Sequence, residues 1–340
     1  MSSLDARRLA SLEAAIRAAS GEQIIAIERV VAEVASIRVA DVALARRTEA
    51  TCADRRCPHC LTHGAHLHGK DKNDRQRFRC CNTECRRTFN ILTGTPMARA
   101  RKPEKWGAYL SHMTGHVSVR RIVQAGIGVN HTTVWRWRHR FLKAAANDNA
   151  VILSGVIEAD ETFFVRSFKG DRGWKRGKPP EHRAARPSGW GATKRGLSGE
   201  QVPVLTALDN TGGIYEAILP TLTSLEAALE GRIAPGSVLC SDGATGYVKA
   251  AVKAGAEHRR VIVPTVIPHA VKVRLVPTKR RQKGRLGLGR VNAHHGQIKA
   301  LINGRCRGVA TQYLADYLGW HRAMARNGFD GKMLLDRALA

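Results

Sequence analysis

A chain of 340 residues is long enough for two or three domains and at least one sizeable core. Its 56 Lys and Arg against 28 Asp and Glu leave a net charge of +28, which directs attention to nucleic acid or another anionic surface rather than to a small neutral substrate. No apolar run approaches the roughly 18 residues that cross a bilayer, and acids scattered through the N-terminus exclude a secretory signal. A cytoplasmic, nucleoid-associated protein with no membrane partner is the expectation.

Residues 1–50 are rich in Ala, Arg and Glu, and Ile27, Val30, Val31, Val34 and Ile37 recur at helical spacing. One or two amphipathic helices are expected, serving packing or oligomerisation rather than chemistry. Residues 51–96 change character and hold six of the eight cysteines. Cys57-Pro-His-Cys60 is followed by a second group, Cys80-Cys81-Asn-Thr-Glu-Cys85. Two thiolate pairs about twenty residues apart suit the tetrahedral, sulfur-rich coordination of a structural Zn²⁺. Cys57, Cys60 and Cys85 are three ligands. The fourth is Cys81, with Cys80 the alternative, since the gap to Cys85 is three or four residues and neither is the usual two. So short a segment carries little apolar mass, and metal binding would supply most of its folding free energy.

Residues 100–143 return to helix, with Trp106, Tyr109, Leu110 and Met113 on one face. Val117–Asn130 and His131–Leu142 then read as helix, Gly-containing turn and helix, a helix-turn-helix pattern. On the second helix Val134, Trp137 and Phe141 should pack inward, leaving Arg136, His139 and Arg140 to face a DNA groove. Ala144–Ala150 reads as a linker. From Val151 to about residue 335, strands near 151–164, 201–209, 213–219, 237–241 and 259–263 alternate with helices near 224–232, 245–254, 291–302 and 309–325. That order predicts a mixed α/β domain. Two basic inserts interrupt it. Residues 165–200 hold ten Lys and Arg against three acids, and residues 271–290 hold eight and no acid. Lys194, Arg195, Lys279, Arg280 and Arg281 are the expected contacts to a phosphate backbone.

Four residues of the α/β region carry the expected chemistry. Asp160 lies in one apolar strand, Asp242 ends a second, and Asn292 and Lys299 sit seven apart on a helix. Strand-borne carboxylates and a helix-borne carbonyl oxygen suit a hard divalent cation. Two such ions, bridged by Asp160 and flanked by Asp242 and Asn292, would activate an attacking oxygen and stabilise the leaving 3′ oxygen of an in-line displacement. Lys299, about 10 Å along the helix from Asn292, is placed to hold a phosphate. Glu158, Glu161 and Asp209 are competing strand-borne acids, and His295 shares the Asn292–Lys299 stripe.

At these residues the chain resembles prokaryotic insertion-sequence transposases with an N-terminal zinc ribbon and an ISXO-type catalytic domain of the DDNK or DDEK kind. The resemblance rests on Cys57-Pro-His-Cys60, Glu158–Phe163, Ser241-Asp242-Gly243, Val291–His295 and, most specifically, Arg307-Gly-Val-Ala-Thr-Gln-Tyr-Leu-Ala-Asp-Tyr-Leu-Gly-Trp320. It implies an RNase H-like fold, Mg²⁺- or Mn²⁺-dependent DNA cleavage and strand transfer, and short terminal inverted repeats as the specific double-stranded DNA. It assigns the catalytic roles to Asp160, Asp242, Asn292 and Lys299. Cutting of paired ends implies a homo-oligomer on DNA. The competing expectations are a zinc-dependent DNA-binding regulator descended from such an enzyme and a nuclease that cuts without joining.

Overall fold

The structure, a computed structural model, describes residues 3–146, 151–170, 192, 198–261, 286–325 and 330–340. The chain divides into two units, Met1–Ala144 with Asp330–Ala340, and Ala145–Phe329. Among the described residues no helix is long and apolar enough to cross a membrane.

The first unit opens with helices α1 (Ser3–Ala18) and α2 (Gly21–Asp54). Ser20 starts α2 through a capping box: its hydroxyl accepts from Gln23 N and the Gln23 side chain accepts from Ser20 N, which satisfies two of the orphan donors of the first turn. Ile25, Val30, Val31 and Val34 on α2 are exposed. Strands β1 (His66–Lys70), β2 (Gln76–Arg79) and β3 (Thr88–Asn90) form a small antiparallel sheet in that order. Its apolar content is little more than Phe78 stacked on Phe89, with ring centroids 5.3 Å apart.

Helices α3 (Trp106–Thr114), α4 (Val119–Gln124) and α5 (His131–Ala146) follow. Trp106, Tyr109, Leu110 and Met113 are buried as their spacing predicts. Tyr109 stacks on Phe141 at 5.7 Å and meets Trp137 edge-on at 5.5 Å. The α4–α5 turn uses Gly126 and Gly128 at φ 72° and 76°, a conformation that costs glycine little and other residues more. The last helix, α10 (Gly331–Leu339), groups with this unit rather than with the α/β region that the sequence pattern extends to 335. Its buried face of Leu334, Leu335, Ala338 and Leu339 explains this: apolar side chains at helical spacing need a partner surface, and Gly331 packs closely on Leu110 of α3.

The second unit is mixed α/β. A five-stranded sheet runs in the order β6 (Ile214–Ile218), β5 (Gln201–Asp209), β4 (Val156–Val165), β7 (Val238–Ser241), β8 (Glu257–Arg260). The first three strands form an antiparallel meander; β7 and β8 run parallel to β4. Helices α6 (Leu225–Leu229) and α7 (Thr245–Ala254) belong to the cluster around Ile157, Ala159, Leu205, Ala207 and Leu239 on one face. Helices α8 (Gly289–Lys299) and α9 (Leu314–Ala325) cover the other, where Ile298, Leu314 and Leu318 meet Phe164 and Val204. A sheet covered on both faces needs apolar residues on both, and β5 is buried along almost its whole length.

The site is positioned by how α8 lies on that second face. At its start, Val291 packs with Leu208, Ile214 and Cys240. At its end, Ile298 packs with Phe164 and Val204. The middle of the helix therefore lies over the intervening stretch of β4 and β5, which contains Asp160, Thr162 and Thr206.

Candidate functional site

Four thiols converge in the small sheet. The Sγ atoms of Cys57, Cys60, Cys80 and Cys85 all lie within 4.8 Å of one another. Cys57 and Cys85 are 3.9 Å apart and Cys60 and Cys80 are 3.4 Å apart. Tetrahedral Zn²⁺ with Zn–S bonds of about 2.3 Å requires sulfurs about 3.8 Å apart, so the set fits that ion. Thr62 hydrogen bonds lower the Cys60 thiol to about 6, and burial pushes Cys80 up to about 12; a bound Zn²⁺ would deprotonate both. The fourth member is Cys80, which corrects the choice of Cys81. Cys81 is exposed, and its thiol donates to His63 O. The signal lay in strand alternation: Phe78 points inward, Arg79 outward, Cys80 inward and Cys81 outward.

The acid site forms where β7 ends, alongside the middle of its parallel neighbour β4. Glu158 pairs with Cys240 across β4 and β7. Asp160 lies two residues further along β4, and Asp242 directly follows the end of β7. Burial raises the Asp160 pKa, the negative charge of Asp242 adds to the rise, and the Lys299 ammonium opposes it. Asp160 thus feels the charges of both Asp242 and Lys299. Asn292 is exposed and shares the flank of α8 that carries His295 and Lys299. That flank follows from the helix geometry. His294 turns toward β6, where its Nε2 donates to Glu216 Oε1 at 2.9 Å; His295, about 100° further round the helix, is also buried and feels the Lys299 charge.

The competing acids separate by their partners. Glu158 accepts from Arg290 N and Arg290 Nε, both at 2.8 Å, and from Val291 N at 3.2 Å. It therefore anchors the N-terminus of α8 and is already saturated. Arg290, which the sequence placed in a backbone-tracking basic run, is the other half of that clamp and also donates to Asp209 O and Val156 O. Asp209 organises the β5–β6 turn by accepting from Thr211 N, Gly213 N and Ser154 N. Glu161 points to the opposite face from Asp160 yet stays in electrostatic reach. Burial raises its pKa, the nearby Tyr247 hydroxyl lowers it, and Asp160 and Asp242 raise it further. The Asp242 turn is shaped by Ala244 N donating to Asp242 Oδ1 at 3.0 Å. Gly243 sits at φ 94° under Arg260, with a Cβ there falling 2.7 Å from Arg260 Cδ.

Half-buried Asp160 and exposed Asp242 offer carboxylate oxygens and exposed Asn292 an amide oxygen, donors of the kind Mg²⁺ and Mn²⁺ take. The mutual repulsion of Asp160 and Asp242, only partly offset by Lys299, is the electrostatic condition a divalent cation would relieve.

On the second helix of the helix-turn-helix pair, the structure divides the expected DNA face. Arg136 and Trp135 are exposed. Arg140 is half-buried, with Nη1 donating to Ala98 O at 2.6 Å. His139 is half-buried against Trp135, and burial, with Arg138 and Lys143 nearby, lowers its pKa to about 4. Arg138, on the inward face, donates to Tyr109 Oη and Val117 O. Lys194, Arg195, Lys279, Arg280 and Arg281 lie outside the described residues.

A further polar cluster escaped the sequence reading. Glu216, fully buried on β6, accepts from His294 Nε2 at 2.9 Å and from Arg322 Nη1 at 2.8 Å. The ring of His321 lies 4.8 Å from that of His294. One carboxylate and two imidazoles within 4.8 Å could ligate a metal, but the guanidinium already supplies the cation this carboxylate needs. Its signal was an acid in the middle of the otherwise apolar strand Ile214–Ile218. Compared with protein-family models and with curated protein sequences, the chain matches neither.

Proposed function

We propose that this chain is the DNA transposase of an insertion sequence, with an RNase H-like catalytic domain that cuts the element at its terminal inverted repeats and joins the ends to target DNA. The observation that carries the reading is Asp160, midway along β4, which feels the charges of Asp242 just past the end of the parallel strand β7 and of Lys299 on α8. The antiparallel meander followed by two parallel strands, with helices on both faces, supports the RNase H-like reading. The net charge of +28 supports a polyanionic substrate.

Asp160, Asp242 and Asn292 would hold the Mg²⁺ or Mn²⁺. When bound, such ions supply a more nucleophilic oxygen and charge stabilisation at the leaving 3′ oxygen. Lys299 offers its ammonium to a non-bridging phosphate oxygen and limits the charge that builds up between the two aspartates. Asn292 adds an oxygen donor without a third negative charge. Open space surrounds the position of a Cβ on Gly296, so the outer side of α8 presents no side chain there to an approaching backbone. In the first step, a water oxygen attacks phosphorus, the bond to the 3′ oxygen breaks, and that oxygen leaves as a 3′-OH. In the second, this 3′-OH attacks a target phosphodiester: one P–O bond forms, one breaks, and no net energy source is required. Cys57, Cys60, Cys80 and Cys85 hold a structural Zn²⁺, and Arg136 with Trp135 contributes to DNA contact.

The decisive assay combines the full chain, Mg²⁺ or Mn²⁺, labelled element ends and a plasmid target. Joined products are expected. Nicks without joining would reduce the protein to a nuclease, and a gel shift with neither product would reduce it to a DNA-binding regulator.

A further inference from the structure

Asp160 sits in the middle of a polar row that crosses the sheet. The register pairs Asp160 with Thr206 and Thr206 with Glu216, and antiparallel partners share a face. Thr162, two residues along β4, lies on that face as well. At the Glu216 end of the row every charge is matched. Near Asp160 the opposite holds. The hydroxyls of Thr162 and Thr206 and the Nε2 of His295 are buried and have no hydrogen-bond partner among the described residues. The side chains are 2%, 0% and 6% exposed. A lone orphan of this kind costs about 1–3 kcal/mol, and native proteins leave few of them. Two such hydroxyls on the sheet face of Asp160, and a third orphan on α8, the helix packed on that face, are explained most simply by an occupant.

The chemistry of the three identifies it. A threonine hydroxyl both donates and accepts, and a neutral imidazole offers one of each. No formal charge is present among them, so they suit water rather than a bare ion. Burial, then the neighbouring His294 and Lys299, lowers the His295 pKa to about 4, so its ring is neutral near pH 7 and makes a poor general base there. Mg²⁺ keeps several of its waters when carboxylates bind it.

We propose that His295, Thr162 and Thr206 line a buried pocket behind Asp160 that holds inner-sphere water of the divalent cation, with His295 as a positioning residue. The inference rests on the metal-dependent reading of the Asp160–Asp242 site. It adds a second layer: Asp160 and Asp242 bind the ion, while the pocket orients its water and so fixes the direction in which the ion presents its open positions.

The test uses the full zinc-loaded chain and Mn²⁺ as the probe. Mn²⁺ affinity and the number of metal-bound waters are measured by EPR and water-proton relaxation, and cutting of a labelled element end is measured in parallel. The variants are His295→Gln, His295→Leu, Thr206→Val and Asp160→Asn. His295→Leu and Thr206→Val should each lower kcat by about tenfold or more, the effect of losing one hydrogen bond of average to good strength, with KM for DNA unchanged and an altered relaxation enhancement. His295→Gln should recover most of both signals. Thr206→Val also keeps the side-chain shape, so it decides the matter if His295→Leu fails to fold. A wild-type protein that binds Mn²⁺ and cuts, with His295→Leu and Thr206→Val indistinguishable from it, overturns the pocket and leaves the active-site reading standing. A wild-type protein that binds no Mn²⁺ beyond the level of Asp160→Asn and does not cut overturns both.

Discussion

Glu216 and Asp160 stand on the same face of one sheet, joined in register through Thr206, in opposite surroundings. Glu216 is fully buried and receives a guanidinium and an imidazole N–H. Asp160 is half-buried and faces a second carboxylate, with one ammonium for the two. A charge that only holds a fold together is neutralised by the fold, because an unmatched buried charge is costly. A carboxylate kept beside another carboxylate retains that cost, and such retained costs gather where a ligand or reaction relieves them. The four-cysteine cluster belongs with Asp160 by this measure: thiols gathered at metal spacing are a poor arrangement until a cation arrives.

The largest effect should come from the cysteines. Cys80→Ser should lower the zinc content from about one per chain toward none, and Cys81→Ser should leave it intact, as read by elemental analysis of the purified protein. Structural Zn²⁺ binding is worth about 10–16 kcal/mol in comparable small sites, so Cys80→Ser should also abolish protease resistance of residues 57–90. Equal zinc content in the two variants would undo the assignment. Next come the acids. Asp160→Asn or Asp242→Asn should lower cutting by about 10³-fold or more, since the charge that organises the reacting phosphate is lost, while gel-shift affinity changes little. Glu216→Ala should do the reverse: stability measured by denaturant unfolding falls by about 3–5 kcal/mol because Arg322 is left buried and uncompensated. Cutting per folded molecule should stay near wild type. If Glu216→Ala instead stays stable and stops cutting, the division between the two carboxylates fails.

How far this contrast could be read from sequence depends on the signal each residue carried. The strand 201–209 and the helix 245–254 are found where hydrophobic periodicity places them, because local pattern and tertiary packing agree there. Asp160, Asp242 and Lys299 stand out by chemical type and spacing, and Asp160 feels the charges of the other two. The roles of Glu158, Arg290 and Glu216 were not legible. Each depends on a partner between 78 and 132 residues away, and no local pattern specifies which acid will receive which cation. Cys80 was legible through alternation but was overruled by ligand spacing, a weaker guide when two adjacent cysteines compete. The outward face of α5 is read from periodicity, which sorts inward from outward but does not reveal that Arg140 reaches back to Ala98 O.

That last point gives a smaller, separable prediction. Arg136→Ala should weaken binding to all DNA sequences alike and reduce the slope of log K against log salt by about one, the signature of one lost phosphate contact. Arg140→Ala should act chiefly on stability, through the lost bond to Ala98 O. Fluorescence anisotropy over a salt series, with thermal melts of both variants, distinguishes them. Identical salt slopes for the two would place Arg140 back on the DNA surface.

The smallest effect bears most directly on the retained cost at Asp160. Its folded pKa is raised by burial and by Asp242, so the native state holds this proton more tightly than the unfolded chain does. Below the unfolded carboxylate value of about 4, both states are protonated and the group costs nothing. As pH rises from there through the raised folded pKa, the native state must either bind a proton or carry an unfavourable charge, and stability is lost. Asp160→Asn removes the titration. In metal-free protein its melting temperature should exceed that of wild type at pH 7, by about 2 °C for each kcal/mol relieved in a chain of this size or somewhat larger. The gap should close as pH falls below about 4. Added Mn²⁺ should narrow the gap at pH 7 by stabilising only the wild type. A variant that melts below wild type at neutral pH without metal would mean that Asp160 is held by favourable partners, as Glu216 is, and the two carboxylates would no longer differ in kind.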